Sequence, residues 1–586
     1  MSTIYFAKEP PEPVTMSTFL VVASIDFGTT YSGWAYSFRH EFEENPAKVN
    51  AKTWHGGNFV SLKGPTCVLI KPDGKTIEAF GYDAETQYAD LAAENKHKEW
   101  YYFRRFKMKL FDKETLTMSL EIEDEDGKRL KASTVFSLSI RYLKDDLMKT
   151  SSDKLSGDIT HKDIHWVITV PAIWSEPAKK FMREAAREAG IPFGQLSICL
   201  EPEAASIYCR HLLMEKSSDT SVSTFKPGTK YLVLDAGGGT VDITVHEITQ
   251  EGKLKELLQA SGGAWGGTKV DDAFLELFNK IAGVNIIERL KSENMEDYLE
   301  LIRNFEVKKR DIIDKPGITV IRIPISLMEL AEEMTGKSLK QLLQNSPYKE
   351  SIRQDKDKLK FDTSVLVSIF NTTIENIVGH VGTLFQKTAT GCQTVLMVGG
   401  FSDSKLLQDK VKVAFNKKTL IVPPDAGLAV LKGAVVFGHN RREIVSRIAR
   451  YSYGLSACVK FEPKSHPEEK LIIVEGKPKC KGCFSTLVRK YETVDMETAC
   501  KQKGFSPLRP FSYFDANLYC SSKEYPQYVD EEGCHHIGRF KVNCRDKFGN
   551  IGSANLSLLF GGTEVEARAV LQSTLEEATA TFDLPD

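Results

Sequence analysis

Tyr231-Leu-Val-Leu-Asp-Ala-Gly-Gly-Gly-Thr-Val-Asp242 decides how the rest of the chain is read. Its first four residues are apolar or aromatic and predict a buried strand that carries Asp235 to its end. Gly237, Gly238 and Gly239 then let the backbone turn tightly, leaving N–H groups free to approach an anion. Thr240 and Asp242 return on a second strand, Val241 to His246. A carboxylate, a bare glycine turn and a hydroxyl in this order suit a metal-bound triphosphate. Glycine runs also occur in plain hairpins, so the reading needs a second witness. Val21-Val-Ala-Ser-Ile-Asp-Phe-Gly-Thr-Thr30 supplies one. Asp26 matches Asp235, Gly28 matches Gly237 or Gly238, and Thr29 and Thr30 resemble Thr240. Two such loops far apart in the chain predict two related lobes gripping one nucleotide.

Length and composition agree with a multidomain globular protein. A chain of 586 residues is too long for one core and predicts three or four domain-sized units. Apolar content of 41% is that of a folded chain. A formal net charge of −2 argues against a general binder of nucleic acid or anionic membrane. No apolar run approaches the roughly 20 residues of a spanning helix. Met1 to Met16, with Glu9, Pro10, Pro11 and Glu12, lacks the basic start and apolar centre of a secretory signal. Residues 1–19 read as a disordered lead, and the chain is expected to be cytoplasmic. Cys67, Cys199, Cys209 and Cys392 lie in or near apolar runs and read as buried thiols. Cys480 and Cys483 form a C-x-x-C pair, followed later by Cys534-His-His536. Zinc needs four ligands at workable spacing, and the second half here is irregular. Free thiols in a reducing cytosol are the expectation.

Along the chain, residues 20–60 read as strands and turns and Glu85–Leu110 as a helix ending in a basic, aromatic stretch. Asp126-Gly127 reads as a hairpin tip and Thr134–Met148 as a helix. His165–Pro171 reads as a buried strand. The next helix has Ser175 as its cap, Pro177 in its first turn and Gly190 as its stop. Ser197–Leu200 is a short strand leading through Glu201-Pro202 into another helix. Strand and helix in alternation predict a parallel-rich α/β fold. Ser217–Gly228 reads as a polar loop, Ser261–Gly267 as a glycine-dense turn and Asp271–Ile281 as a helix. Residues 285–360 read as helical and charged, Thr394–Phe401 as a strand ending in glycines, and Leu428–Phe437 as an apolar helix. After His439 the texture changes to period-2 alternation. Examples are Phe540, Val542 and Cys544, then Leu556, Leu558 and Phe560, then Val565, Ala567 and Ala569, with a turn at Phe548-Gly549-Asn550. The organisation expected is a two-lobed nucleotide-binding unit over 20–440, a linker over 441–452 and a mostly β domain over 453–586.

These pieces, in this order, resemble the actin-like ATPase superfamily. Within it they resemble the 70-kDa heat-shock chaperones and their divergent heat-shock 70 kDa protein 12 subfamily. The resemblance spans roughly residues 20–440. Asp26–Ser32 and Asp235–Asp242 look like the two phosphate motifs, and Val170-Pro-Ala172 with its helix looks like the segment connecting the lobes. Glu306–Arg310 and Val398–Phe401 look like the sides of the adenosine pocket, which Asp425 closes. Phe560–Glu566 in the β tail also looks like that subfamily. The resemblance implies two RNase-H-like lobes with ATP or ADP and Mg²⁺ between them. Gly28, Thr29, Thr30, Gly238 and Gly239 would cradle the phosphates, with Tyr31 and Gly237 beside them. Asp26, Glu201 and Asp235 would hold Mg²⁺ through its waters. Asp235, Asp242 or Glu201 would orient the attacking water, and Thr240 would bond the γ-phosphate. Gly266 and Gly267 would admit the second lobe to the phosphates and ribose. Glu306 and Lys309 would bond the ribose or base edge and Arg310 would lie over adenine, with Gly399, Gly400 and Phe401 opposite. The family's first-lobe lysine falls at Lys107, with Arg105 and Lys109 as rivals.

Several positions depart from the family pattern. A second adenine-stacking arginine is replaced by Asp403, which offers no cation–π contact. Ile313 stands where a hydroxyl would bond adenine. Lys179 stands where an interdomain relay has arginine. The linker Arg441–Arg450 is basic where the chaperones have an acidic, leucine-rich one, and the β tail leaves no room for a long helical lid. The resemblance therefore implies an ATP-binding, chaperone-like stress-response protein with weak or regulated hydrolysis and protein clients or signalling partners. The alternatives are a nucleotide-binding scaffold without turnover and a small-metabolite kinase of the same superfamily. Oligomeric state is not legible in the sequence.

Overall fold

The computed structural model describes residues 19–581, apart from 57–58, 112–115, 155–158, 216–224, 497, 509–512, 546–549, 561–564, 574 and 576. The expected lead over 1–19 lies almost wholly outside the described residues. So do most of the 217–228 loop, the turn at 548–549 and the 561–564 part of the tail motif.

Seven consecutive buried residues make Val21–Phe27 a strand with both faces covered. It anchors a sheet ordered Leu196–Leu200, Ile164–Val170, Val21–Phe27, Tyr31–Phe38 and Asn50–Ala51. The first three strands are parallel and the last two run antiparallel. A second sheet repeats that plan with Thr419–Ile421, Thr394–Val398, Lys230–Ala236, Val241–Ile248 and Leu254–Gly263. Strand directions match the first sheet position for position. The fold is α/β and internally duplicated. Helices Ala132–Lys154 and Glu176–Glu188 cover the outer face of the first sheet, and Thr268–Ala282 and Thr363–Lys387 cover that of the second. Between the sheets, Glu201–Glu215 packs on Ala429–His439 so closely that a Cβ on Gly433 would strike the Ala204 carbonyl. Ser24 Oγ donates to the Leu431 carbonyl at 2.8 Å and ties this helix pair to the first sheet.

Two stretches differ from expectation. The predicted Glu85–Leu110 helix is a helix only over Tyr82–Ala93. Tyr101–Arg104 is a strand paired with Cys67–Ile70, and Phe106–Leu110 is a short 3₁₀ turn. Two adjacent buried aromatics, Tyr102 and Phe103, and the partner strand Cys67–Ile70 win over helix periodicity. The expected all-helical 285–360 region contains a three-stranded sheet of Ile318–Arg322, Lys358–Asp362 and Ile352–Asp355. Alternating charge along Lys358–Asp362 hid that strand.

Past His439 the chain does not leave as a free tether. Ile444–Ile448 is a strand in the second-lobe sheet, parallel to Leu254–Gly263, and Thr493–Asp495 pairs on its far side. Arg447 reaches back to Glu203 with two bonds of 2.6 Å, both groups buried. The C-terminal region holds a five-stranded and a four-stranded antiparallel sheet. The alternating residues Phe540, Val542, Leu556, Leu558, Ala567 and Ala569 all face its core, which is continuous with the core between the lobes. None of the eleven cysteines is in a disulfide. No described helix is long and apolar enough to cross a membrane.

Candidate nucleotide site

Each central strand delivers an aspartate to the same cleft because the duplicated sheets face one another. The register Asp26↔Gly33 puts Asp26 beside its own turn, and Asp235↔Asp242 does the same in the second lobe. The two glycine turns then meet. A Cβ on Gly238 would collide with the Thr30 side chain, and one on Gly239 with Thr29 and Met108. Bare backbone is required here for steric approach as well as for anion contact.

The cleft encloses about 340 Å³, within the range of small-molecule sites. Asp26, Gly28, Thr29, Thr30, Tyr31, Glu201, Asp235, Gly237, Gly238, Gly239 and Thr240 all line it. So do Gly267, Glu306, Lys309, Arg310, Gly399, Gly400, Phe401, Asp403 and Asp425. Of the three basic candidates, Lys107 lines the cleft, with its Nζ 2.6 Å from Glu201 Oε1. Arg105 instead pairs with Asp271 at 2.7 Å, and Lys109 is not in the lining. Gly266 and Asp242 also stand back from the cleft wall. Gly266 N–H bonds the Gly239 carbonyl and Gly267 N–H the Gly237 carbonyl, so these glycines seat their loop on the phosphate turn. Asp242 Oδ1 accepts from the Ile173 N–H at 2.9 Å, which couples the second turn to the segment connecting the lobes. Lys309 Nζ is held by Asp271 at 2.6 Å. Tyr31 donates to Glu306 at 2.6 Å, and the Arg310 guanidinium lies 5.3 Å over the Tyr31 ring. Asp425 pairs with Lys432 at 2.8 Å. Ile313 is exposed and outside the lining, so its departure from the family pattern does not reach the cleft. Phe401 is buried beside Phe370 and Gly267.

Two groups were not anticipated. Lys63 Nζ sits 2.5 Å from Asp26 Oδ2. It arrives because Gly64–Pro65 pairs with Tyr31–Ser32; a lysine before a Gly-Pro turn carries no sequence signal of its own. Asp271 gathers both Lys309 and Arg105 at the first turn of its helix.

The electrostatics of the two aspartates differ. Burial pushes Asp26 up, but the charge and hydrogen bond of Lys63, then Lys107 and the Thr169 hydroxyl, pull it below the ordinary carboxylate range. Asp235 is raised well above that range by burial and then by Glu201, Asp242 and Asp26. Burial also raises Asp242. It raises Glu201 to about 7, with Lys107 opposing and Asp26 and Asp242 adding. Oxygen donors in a buried, positive-charge-deficient cluster are what a hydrated Mg²⁺ fits.

Two lobes of one strand plan, closing Asp-Gly-Thr turns over a shared cleft, define the actin-like class of nucleotide-binding folds. The Hsp70 protein family model matches residues 86–456. The chain is 34% identical to mouse heat shock 70 kDa protein 12A, over 98% of this chain and 93% of that protein. It is 33% identical to human heat shock 70 kDa protein 12A, over 97% of this chain and 92% of that one. It is 32% identical to human heat shock 70 kDa protein 12B, over 97% and 91% respectively. The chain belongs to the Hsp70 family, whose ATPase domain normally binds ATP or ADP with Mg²⁺.

Proposed function

We propose that this protein binds Mg-ATP in the interlobe cleft, hydrolyses it slowly or under regulation, and engages protein clients or partners through its C-terminal β region. The observation that carries the nucleotide reading is the convergence of both glycine turns, Asp26, Glu201, Asp235 and Lys107 on one cleft. Backbone N–H groups of Gly28, Thr29, Thr30, Gly238 and Gly239 cradle the phosphates in this reading. Asp26, Glu201 and Asp235 would hold Mg²⁺, and the ion would supply neutralisation of phosphate charge. Lys63 keeps Asp26 ionised. Glu201, poised near neutrality and bonded to Lys107, accepts a proton from the attacking water. Thr240 bonds the γ-phosphate. At the adenosine end, Arg310 and Asp403 take the place of a pair of stacked arginines, which favours a weaker grip on the base.

The client reading rests on the outermost strand of the five-stranded sheet, Leu471–Val474, which leaves Leu471 and Ile473 exposed. An unpaired edge with apolar side chains accepts an extended segment. The nucleotide reading is tested by phosphate release from purified protein against its Asp235→Asn variant: release should collapse, and an unchanged rate would mean contamination. Tight Mg-ATP binding with no release from the parent favours the scaffold reading, which Asp403 supports. The client reading is tested by Ile473→Lys, which should lower capture of unfolded reporter peptides while leaving nucleotide affinity intact.

A further inference from the structure

Away from the cleft, Cys480-Lys-Gly-Cys483 forms a bulge inside the strand Lys477–Val488, with Gly482 in the left-handed region at φ 70°. The neighbouring loop brings His466 onto this turn. A His466 ring nitrogen and the two sulfurs all lie within 4.8 Å of one another. Donors around a tetrahedral zinc, bonded at about 2.0–2.3 Å, stand somewhat closer together than this. Small side-chain rotations therefore bring the three to bonding distance. Ser465 and His466 N–H groups donate to the Glu462 carbonyl, and the Glu462 N–H donates to His466 Nδ1 at 3.0 Å; metal binding gives up that last bond, because Nε2 ligates only with the ring proton on Nδ1. A candidate fourth donor lies on the adjacent strand, outside the three-residue cluster. Ala457 pairs with Cys483 and Val459 with Cys480, so Cys458 falls at the irregularity between them. The amide of Gly482 faces the Cys458 sulfur, and that of Val459 faces the Cys483 sulfur.

We propose that Cys480, Cys483 and His466 form a structural zinc site, with Cys458 swinging in from the adjacent strand as the fourth ligand. Sequence spacing concealed it. The set reads C-x7-H-x13-C-x2-C, and the later Cys534-His-His536, which looked like the missing half, is not in the cluster. Thiolate and imidazole donors with tetrahedral closure select zinc over hard cations. Each thiol releases its proton to solvent on binding. The metal would pin the 461–470 loop to the hairpin, where Leu471 pairs with Cys480, and so stiffen the root of the exposed edge strand.

The test is metal analysis of the full chain after exhaustive dialysis, followed by Co²⁺ titration. The expected result is about one zinc per chain and a sulfur-to-cobalt charge-transfer band with tetrahedral visible bands. Cys480→Ser with Cys483→Ser should abolish both, and Cys534→Ser should change neither. Cys458→Ser should lower charge-transfer intensity by about a third, three thiolates becoming two. His466→Asn should keep that band and alter the visible bands. Zinc retained by the double variant, or lost from Cys534→Ser, overturns the site. The wild-type spectrum decides if the double variant does not fold: no cobalt bands on fully reduced protein, or a Cys480–Cys483 disulfide in freshly purified protein, contradicts the proposal. Unchanged charge transfer in Cys458→Ser contradicts its place in the set.

Discussion

The two lobes share a strand plan, a turn and an aspartate, yet they treat that aspartate oppositely. Asp26 is paired with Lys63 and bonded by Thr169, and is held ionised. Asp235, at the matching position, has no ion-pair partner among the described residues and is held toward its neutral form by burial and by Glu201. The lobes also end differently. The first sheet stops at Asn50–Ala51, whereas the second continues through Ile444–Ile448 into Thr493–Asp495. Duplication thus supplies a symmetric grip, and divergence gives each half a task. One loop is neutralised internally, and the other is left short of positive charge beside the sheet that reaches the β region. In the proposed function a ligand-borne cation would have its greatest effect at Asp235, on the lobe joined to the C-terminal strands.

The largest expected effect breaks this asymmetry at its charge-deficient end. Asp235→Asn should lower phosphate release by about 10²–10³-fold, the scale for deleting one group that positions transition-state charge. In magnesium- and nucleotide-free buffer the same variant should melt no lower than the parent, because a costly buried acid has been removed. A calorimetric scan of the apo protein checks this. Arg447→Met strikes the other asymmetry. Leaving Glu203 buried and unpaired should cost about 3 kcal/mol, read in a denaturant melt. Faster proteolysis near 441–452 should accompany it, and adding Glu203→Leu should recover much of the loss. Asp26→Asn should destabilise the apo protein by about 2 kcal/mol, less because Lys63 retains some solvent contact. Its sign is opposite to that of Asp235→Asn, and equal shifts in one direction would erase the comparison.

A smaller effect comes from pH. Glu201 rises from an ordinary 4.5 to about 7 on folding. The folded state binds the extra proton, so this contribution is full below about 4.5 and is lost as pH climbs through about 7. Relative to Glu201→Gln, the apo parent should therefore lose melting temperature between pH values of about 5 and about 8. A parallel pair of curves would remove Glu201 from the charge-deficient cluster. The smallest effect belongs to Ile313→Ala, expected to change nucleotide affinity and stability by less than about 0.5 kcal/mol, since its side chain faces solvent.

Much of this was legible where local chemistry is self-sufficient. A strand ending in aspartate and glycines predicts its turn in isolation, and two copies predict two facing lobes. The helix from Glu176 to Glu188 took its cap at Ser175 and its stop at Gly190 as written. The illegible parts depend on distant partners. Tyr101–Arg104 became a strand because Cys67–Ile70 offered an edge. The basic 441–450 stretch became a sheet strand because Glu203 and Glu256 lie where it docks, with Ile448 N–H donating to Glu256 at 2.8 Å. Lys63 and His466 are ordinary residues in sequence, and only the fold gives them carboxylate or thiol neighbours.

In the proposed function the two duplicated turns hold a magnesium nucleotide, with the cation answering the charge deficit at Asp235. Calorimetric titration of the purified chain with ATP and ADP, each with and without Mg²⁺, tests it most directly. Binding in the parent should strengthen markedly with Mg²⁺, and that dependence should be much reduced in Asp235→Asn. Binding indifferent to Mg²⁺, or no binding of either nucleotide, would contradict it.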